Sequence, residues 1–473
     1  MTSPLPAIGT TIDRETIGYY RCPEGYAAVQ AMHDQEANTG YFRFRDVVCF
    51  GRCSNGSAEN VSESPAYDAW PSARMDGGAV TLPFSPGEVA QNLRFERYVT
   101  NRPRPGWKTS WAAVQRQAYY AVRPLLGVAV RKHLQRRALR GWNEIPFPVW
   151  PVDRTVDRVF QSFLELSLKA HGVDRVPFIW FWPYGHQSCT IMTHDVEEAA
   201  GVKACDEVMD LDSTVGLASS FQLVPEGRYS ASPAVLDAIR GRGFEVNIHD
   251  LNHDGHLYDD RDEFLRRAEK VNGYAREYRA KGFRSAVLYR NVNWYDAFEF
   301  AYDMSVPTVA HLDPQRGGCC TIMPYFIGNI VELPLTTTQD YSLFNILRDY
   351  SIELWKSQAE YIVRNHGLLS FNVHPDYLDS APAKRVYTAL LHHLASLRAD
   401  RQTYFARPDE VDHWWRERSQ MTLTCESGQW QIQGAGSDRA VIAYASIGRD
   451  GLTYSIESPV ASARTREMPR GPR

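Results

Sequence analysis

The sequence predicts an α/β protein whose main unit is a parallel sheet closed, or nearly closed, into a barrel. Two observations predict this architecture and a third locates its working end. Between residues 178 and 375 about seven short apolar runs alternate with amphipathic stretches of helical period. Parallel strands require such crossovers, and the right-handed rule places their carboxyl ends on one rim. Five of the runs finish on an acid, an arginine or a histidine, and that rim is where α/β proteins hold their chemistry.

Residues 1–175 have a different texture and predict an N-terminal α+β extension. GYFRFRDVVCFGRC (40–53) alternates as a pair of strands, and 55–78 is polar, turn-rich loop. Ser110–Trp142 has a helical pattern on both sides of Pro124, with seven Arg or Lys and no acid. Such a face can pack on the barrel, meet a phosphate-bearing substrate or make peripheral contact with an anionic membrane. The barrel is expected over 176–405. Its strand candidates are TIMTHD (190–195), Val215–Val224, Phe244–His249, Ser285–Arg290, Thr308–Leu312, Asn329–Pro334 and Leu368–His374. Helical patterns fall between them, one opening at Ser232 as N-cap with Pro233 in first position, then 259–282 and 344–367, and 383–401 reads as a final helix after the last strand. Residues 421–458 alternate apolar and polar residues between Gly-rich turns, which predicts a small antiparallel β module over 406–460. The basic, Pro-containing tail 461–473 is expected to be disordered.

Bulk properties narrow the function. A chain of 473 residues exceeds what one core commonly serves, so appended modules are expected. The net charge of -4 carries no nucleic-acid signature. No signal-peptide pattern and no apolar run of membrane-spanning length occur, which predicts a cytoplasmic protein. The eight cysteines are scattered without a CxxC pair and are expected to be reduced thiols. Gly-containing loops such as GRCSNGS lack the lysine and strand–loop–helix setting of a phosphate loop, and no G-x-S-x-G elbow occurs.

The chemistry concentrates at the strand ends. CTIMTHDVEE (189–198) runs from uncharged strand directly into Asp195 and Glu197, which project to one side of an extended chain. Phe244–His249 ends on His249, followed by His253 and His256. Spaced i and i+4, His249 and His253 share a face if a helical turn follows the strand. Two imidazoles, a carboxylate and water form a common open site for catalytic zinc or a similar divalent ion. Either Asp195 or Glu197 could ligate while the other accepts a proton from water. His374 could protonate a leaving amine, and Arg290 could orient the carboxylate base. Trp294 and Tyr295, just after Arg290, are placed to stack on a sugar, and Glu332 and His311 are further candidates for lining the pocket.

With these residues in view, the chain resembles the polysaccharide deacetylase superfamily, carbohydrate esterase family four and its relatives. THDVE is similar to the D-x-D/E form of the family's first motif, and HDLNH matches the spacing of its H-[S/T]-x-x-H motif, with Asp250 at the hydroxyl position. LYRNVNW fits the motif with an arginine after a strand, though without its following proline. FNVH is similar to the closing L-x-H motif, with Asn372 at the leucine position. For the fourth motif the only candidate is Glu332 in VELP. The resemblance covers residues 178 to 400 and implies a distorted (β/α)7-type barrel. It further implies Asp195 as base, Glu197, His249 and His253 as ligands of one divalent metal, and His374 as acid. Zinc is the first expectation, with cobalt, nickel or iron as alternatives. The implied activity is hydrolysis of an N-acyl group, N-acetyl foremost, from an amino-sugar glycan or a lipid- or nucleotide-linked precursor, as in exopolysaccharide synthesis. Two alternatives stand beside it: a C–N hydrolase or deformylase acting on a non-glycan amide, and a catalytically silent glycan-binding barrel.

Overall fold

The run TIMTHD lies inside a nine-residue strand, β1 (Ser188–Val196), buried along its whole length. The structure is a computed structural model and describes residues 10–32, 38–61, 67–99, 133, 136–400 and 402–456. Around β1 the described residues form a mixed α/β protein with a largely parallel sheet. Its other strands are β2 (Ser220–Leu223), β3 (Glu245–His249), β4 (Gly282–Arg284), β5 (Tyr302–Asp303), β6 (Tyr325–Ile327), β7 (Ile330–Glu332), β8 (Leu368–Asn372) and β9 (Thr403–Phe405). Their order is β6-β7-β5-β4-β3-β2-β1-β8, with β9 also pairing to β1. Only the β6–β7 pair is antiparallel. Helices Ala199–Ser213, Pro233–Gly241, Arg261–Glu277, Glu353–Arg364 and Ala381–Ala399 lie between successive strands. Ser232 caps the second through Val235 N–H, with Pro233 in first position, as its sequence dictates.

The sheet curls, and side chains bond the chain beyond β7 to β8. Beyond β7, the Thr336 and Thr337 hydroxyls donate to the Leu368 and Ser370 carbonyls of β8 at 2.7 and 2.8 Å, and Ser370 N–H returns a bond to Thr336. Hydroxyls thus satisfy β8 where a strand partner would otherwise be needed. At Gly282 of β4 an added Cβ would collide with the Tyr302 ring, so the interior admits that ring only beside glycine.

Several expected strands are shorter or displaced. Val215–Val224 contributes only β2, because its first residues finish the turn after helix Ala199–Ser213. Ser285–Arg290 is not a strand. The pairing ends one step earlier, at β4, and Val287 and Leu288 take positive φ in a tight turn. Thr308–Leu312 forms no strand and follows an isolated bridge from Pro307 to Leu335. These stretches are apolar because they are buried, and burial alone does not require pairing. The helical run 344–367 divides into a π-helical turn (Ser342–Leu347) and helix Glu353–Arg364, separated by Arg348 in the left-handed region.

Toward the N-terminus, Thr39–Phe44 and Val47–Arg52 pair as the expected hairpin. Most of the basic stretch expected at Ser110–Trp142, and the tail 461–473, lie outside the described residues. In the C-terminal part, Thr422–Glu426 pairs with Gln429–Gln433. The second hairpin, Ile442–Gly448 with Gly451–Ile456, adds Arg175–Ile179 as a third antiparallel strand. One apolar cluster runs from Ile17 through the sheet to Ala445. All eight cysteines are free thiols, seven of them buried. No helix among the described residues is long and apolar enough to cross a membrane.

Candidate metal centre

Strand alternation turns Asp195 inward, where it is 2% exposed, and sends its neighbour His194 the other way. His194 is structural: its ring nitrogens meet the Val373 carbonyl at 2.9 Å and Asp212 at 3.1 Å. Glu197 follows at the strand exit. His249 is the last residue of β3, and its Nδ1 lies 3.1 Å from the Arg284 carbonyl. That bond places the proton on Nδ1 and leaves the Nε2 lone pair for the site. The expected helical turn to His253 is absent. Asp250 and His253 instead adopt positive φ and fold a short loop back, bringing the two imidazole centroids to 4.9 Å.

Glu197, His249 and His253 offer ligand atoms that all lie within 4.8 Å of one another. Glu197 Oε1 is 2.9 Å from His253 Nε2 and 3.8 Å from His249 Nε2. His249 Nε2 and His253 Nε2 lie near Glu197 without a well-directed hydrogen bond, and His253 Nδ1 is buried without a partner. Each neutral imidazole offers one lone pair, and two imidazoles with one carboxylate are a donor set suited to zinc or a similar divalent ion. The residues therefore fit such an ion.

Two charge pairs flank the centre. Burial pushes the Asp195 carboxyl up, but Arg284 beside it, with His249 and His374, holds it below the usual carboxylate range. Arg284 Nη1 is 3.1 Å from Asp195 Oδ1 and 2.7 Å from the Thr193 hydroxyl, while Asn372 donates to Asp195 Oδ2 at 2.7 Å. Glu197 is likewise pushed up by burial yet held well below its ordinary value by His253, His249 and His374. On the other side, His374 Nε2 lies 3.4 Å from Glu197 and its Nδ1 lies 2.7 Å from Asp340. Burial works against the His374 cation, but Asp340 and then Glu197 outweigh it and raise this imidazole well above its ordinary value.

The structure thus brings Asp195, Glu197, His249, His253 and His374 together and engages Arg290, Trp294 and Tyr295 in other contacts. Arg290, expected to orient the base, is fully buried in a pair with Glu96 of the N-terminal region. Arg284, not Arg290, lies beside Asp195. It stands opposite His249 in the β3–β4 register, so pairing rather than sequence pattern brings it to Asp195. Tyr295 is buried and donates to Asp303 at 3.0 Å. Trp294 is half-buried, packed on Phe264 with Arg261 over its ring. Glu332 accepts from Val306 N–H, and burial beside Asp303 pushes its carboxyl well up. His311 lines a small cavity with Asp313 and Gln339 near Trp150. Sequence reasoning missed Arg284 and Asp340. Arg284 ends a three-residue strand too short to show a pattern, and Asp340 closes the polar run TTTQD.

No family model matches the sequence, and no curated protein matches it. Among solved structures, the chain is similar to a putative polysaccharide deacetylase from Mycobacterium smegmatis, at 17% identity over 50% of this chain and 92% of that one, with a TM-score of 0.40. A PuuE allantoinase matches at 12% identity over 50% and 92%, with a TM-score of 0.38. A family 4 acetyl xylan esterase from Clostridium thermocellum, solved with a cobalt ion, matches at 13% identity over 48% and 91%, with a TM-score of 0.32. The likeness is to structures of the polysaccharide deacetylase and family 4 esterase kind and covers half of this chain. At these scores the functional reading rests on the geometry of the centre.

Proposed function

We propose that this chain is a metal-dependent hydrolase that removes an N-acyl group, N-acetyl foremost, from an amino-sugar glycan or its lipid- or nucleotide-linked precursor. The observation that carries the reading is the triad of Glu197, His249 and His253, with ligand atoms within 4.8 Å of one another and an ionised acid–arginine pair beside it. A divalent ion held there, zinc foremost, supplies Lewis acidity that polarises an acyl carbonyl and activates water.

The chain's own groups then divide the proton work. Asp195 is kept ionised by Arg284 and oriented by Asn372, and each of its oxygens retains a lone pair. It takes the proton of the water whose oxygen bonds to the acyl carbon. His374, kept protonated by Asp340, gives its proton to the nitrogen as the C–N bond breaks. The products are a carboxylic acid and a free amine, with the protons balanced between the two groups. In this reading the curled sheet is a distorted (β/α)7 barrel. Residues 176–405 form the catalytic unit, 1–175 an extension whose basic stretch can meet an anionic surface, and 406–460 a C-terminal β module.

The test is metal content together with acetate release. Wild type is expected to carry about one equivalent of divalent metal and to deacetylate N-acetylated amino-sugar substrates. The double variant His249→Ala, His253→Ala is expected to lose both. A wild type that binds no metal after reconstitution would overturn the mechanism.

A further inference from the structure

The loop that follows β2 belongs to neither metal-ligand segment, yet it is bonded to both. Tyr229 donates its hydroxyl proton to the Val196 carbonyl at 2.6 Å, one residue before Glu197. The same hydroxyl accepts from Val224 N–H at 2.8 Å, so its position is set from both sides. Arg228 pairs with Glu198, one residue after Glu197. Its other terminal nitrogen donates to the backbone carbonyl of His253 at 3.2 Å. Glu226 N–H donates to the Leu251 carbonyl at 2.9 Å, within the loop that carries His253. One short segment thus bridges the chain on both sides of Glu197 and the chain at His253.

The need for such a bridge lies in the backbone. Glu197 stands just past the end of β1, where ladder bonding has stopped, and His253 stands four residues past the end of β3. His253 and Asp250 both hold positive φ, a conformation that non-glycine residues keep only where the surroundings over-determine it. His249, by contrast, is fixed by its own strand and by the Arg284 carbonyl. Of the three ligands, two therefore depend on bonds from outside their own elements, and Arg228 and Tyr229 provide them.

We infer that Arg228, with Tyr229, is a positioning residue for the cation site, setting the separation of Glu197 and His253 by clamping the two chain segments that carry them. The inference rests on the metal-site reading above. Groups that orient metal ligands from outside the coordination sphere change affinity when they are lost, commonly by about 10- to 100-fold.

The experiment measures zinc affinity of the full chain by chelator competition, with the thermal midpoint of the metal-free protein as control. Arg228→Ala is expected to weaken zinc binding by about 10- to 100-fold while leaving the metal-free midpoint near wild type. Arg228→Lys keeps the charge toward Glu198 but not the two-directional fork, and should restore only part of the loss. Tyr229→Phe removes only a hydroxyl, so it serves if the arginine variant fails to fold, and it too should bind zinc more weakly. The absorption spectrum of the cobalt-substituted protein should shift in Arg228→Ala, because ligand geometry rather than fold is altered. If the wild type binds zinc and the variants bind it equally well, the clamp is refuted and the metal reading survives. A wild type that binds no zinc removes both.

Discussion

Replacing Asp340 by Asn tests the acid half of the site. Asp340 Oδ1 lies 2.7 Å from His374 Nδ1 and accepts from Tyr341 N–H at 2.7 Å, while Oδ2 accepts from His374 N–H at 2.7 Å. The pair is enclosed, so solvent screens it little. Unit charges about 4 Å apart at an effective dielectric near 20 interact by about 4 kcal/mol, or about 3 pKa units. Glu197 remains 3.4 Å from the other ring nitrogen, so the variant's imidazole keeps one anionic neighbour while its pKa falls. The sign follows from the role. A general acid works protonated, so kcat/KM falls as pH rises through the His374 pKa, which Asp340 now holds well above its ordinary value. In Asp340→Asn this descending limb should move toward acid. The assay is kcat/KM for acetate release across the pH range, with zinc saturating. A limb that stays in place, or moves toward alkali, would show that His374 is not the acid or that Asp340 does not hold its proton.

Four further perturbations test the other assignments. Arg284→Met should raise the Asp195 pKa, moving the ascending limb of kcat/KM toward alkali and lowering activity by about 100-fold or more, since the base loses its cation. Arg290→Met should strand Glu96 as a buried charge and destabilise the fold by about 3–5 kcal/mol in denaturant unfolding. The folded fraction of that variant should retain turnover, and equal catalytic loss in both variants would contradict the assignment of Arg284. Glu245 is pushed up to about 8 by burial and by Asp409 nearby, so the folded chain holds a proton that the unfolded chain releases. Stability should therefore fall as pH rises from about 4.5 to about 8, by up to about 1.4 kcal/mol per unit. In Glu245→Gln that slope should flatten, and parallel stability–pH curves for the two proteins would refute it. Finally, chelation should lower the thermal midpoint of wild type but not of the His249→Ala, His253→Ala variant, by about 2.7 kcal/mol of linkage where zinc stood at 100 times its Kd. An equal drop in both would place the metal elsewhere.

The sequence by itself determined the parallel alternation, because period and capping are local. Ser232 and Pro233 start their helix wherever the chain goes, and β3 and β8 end within two residues of the expected positions. It also determined that Asp195 and Glu197 share one side at the exit of a buried strand, since alternation and charge are visible along one chain. Tertiary structure alone decided which arginine serves the site. Arg284 and Arg290 both follow apolar residues, and only the pairing of β3 with β4 sets Arg284 level with His249, while Glu96, some 190 residues away in sequence, takes Arg290. The same holds for Asp340, which reaches His374 because the chain beyond β7 is stitched to β8 by threonine hydroxyls. It holds too for His253, whose ring meets His249 through two left-handed residues and not a helical turn. Local pattern shows which face a residue occupies, whereas register and long-range charge pairing decide what that face meets, and those are properties of the assembled sheet.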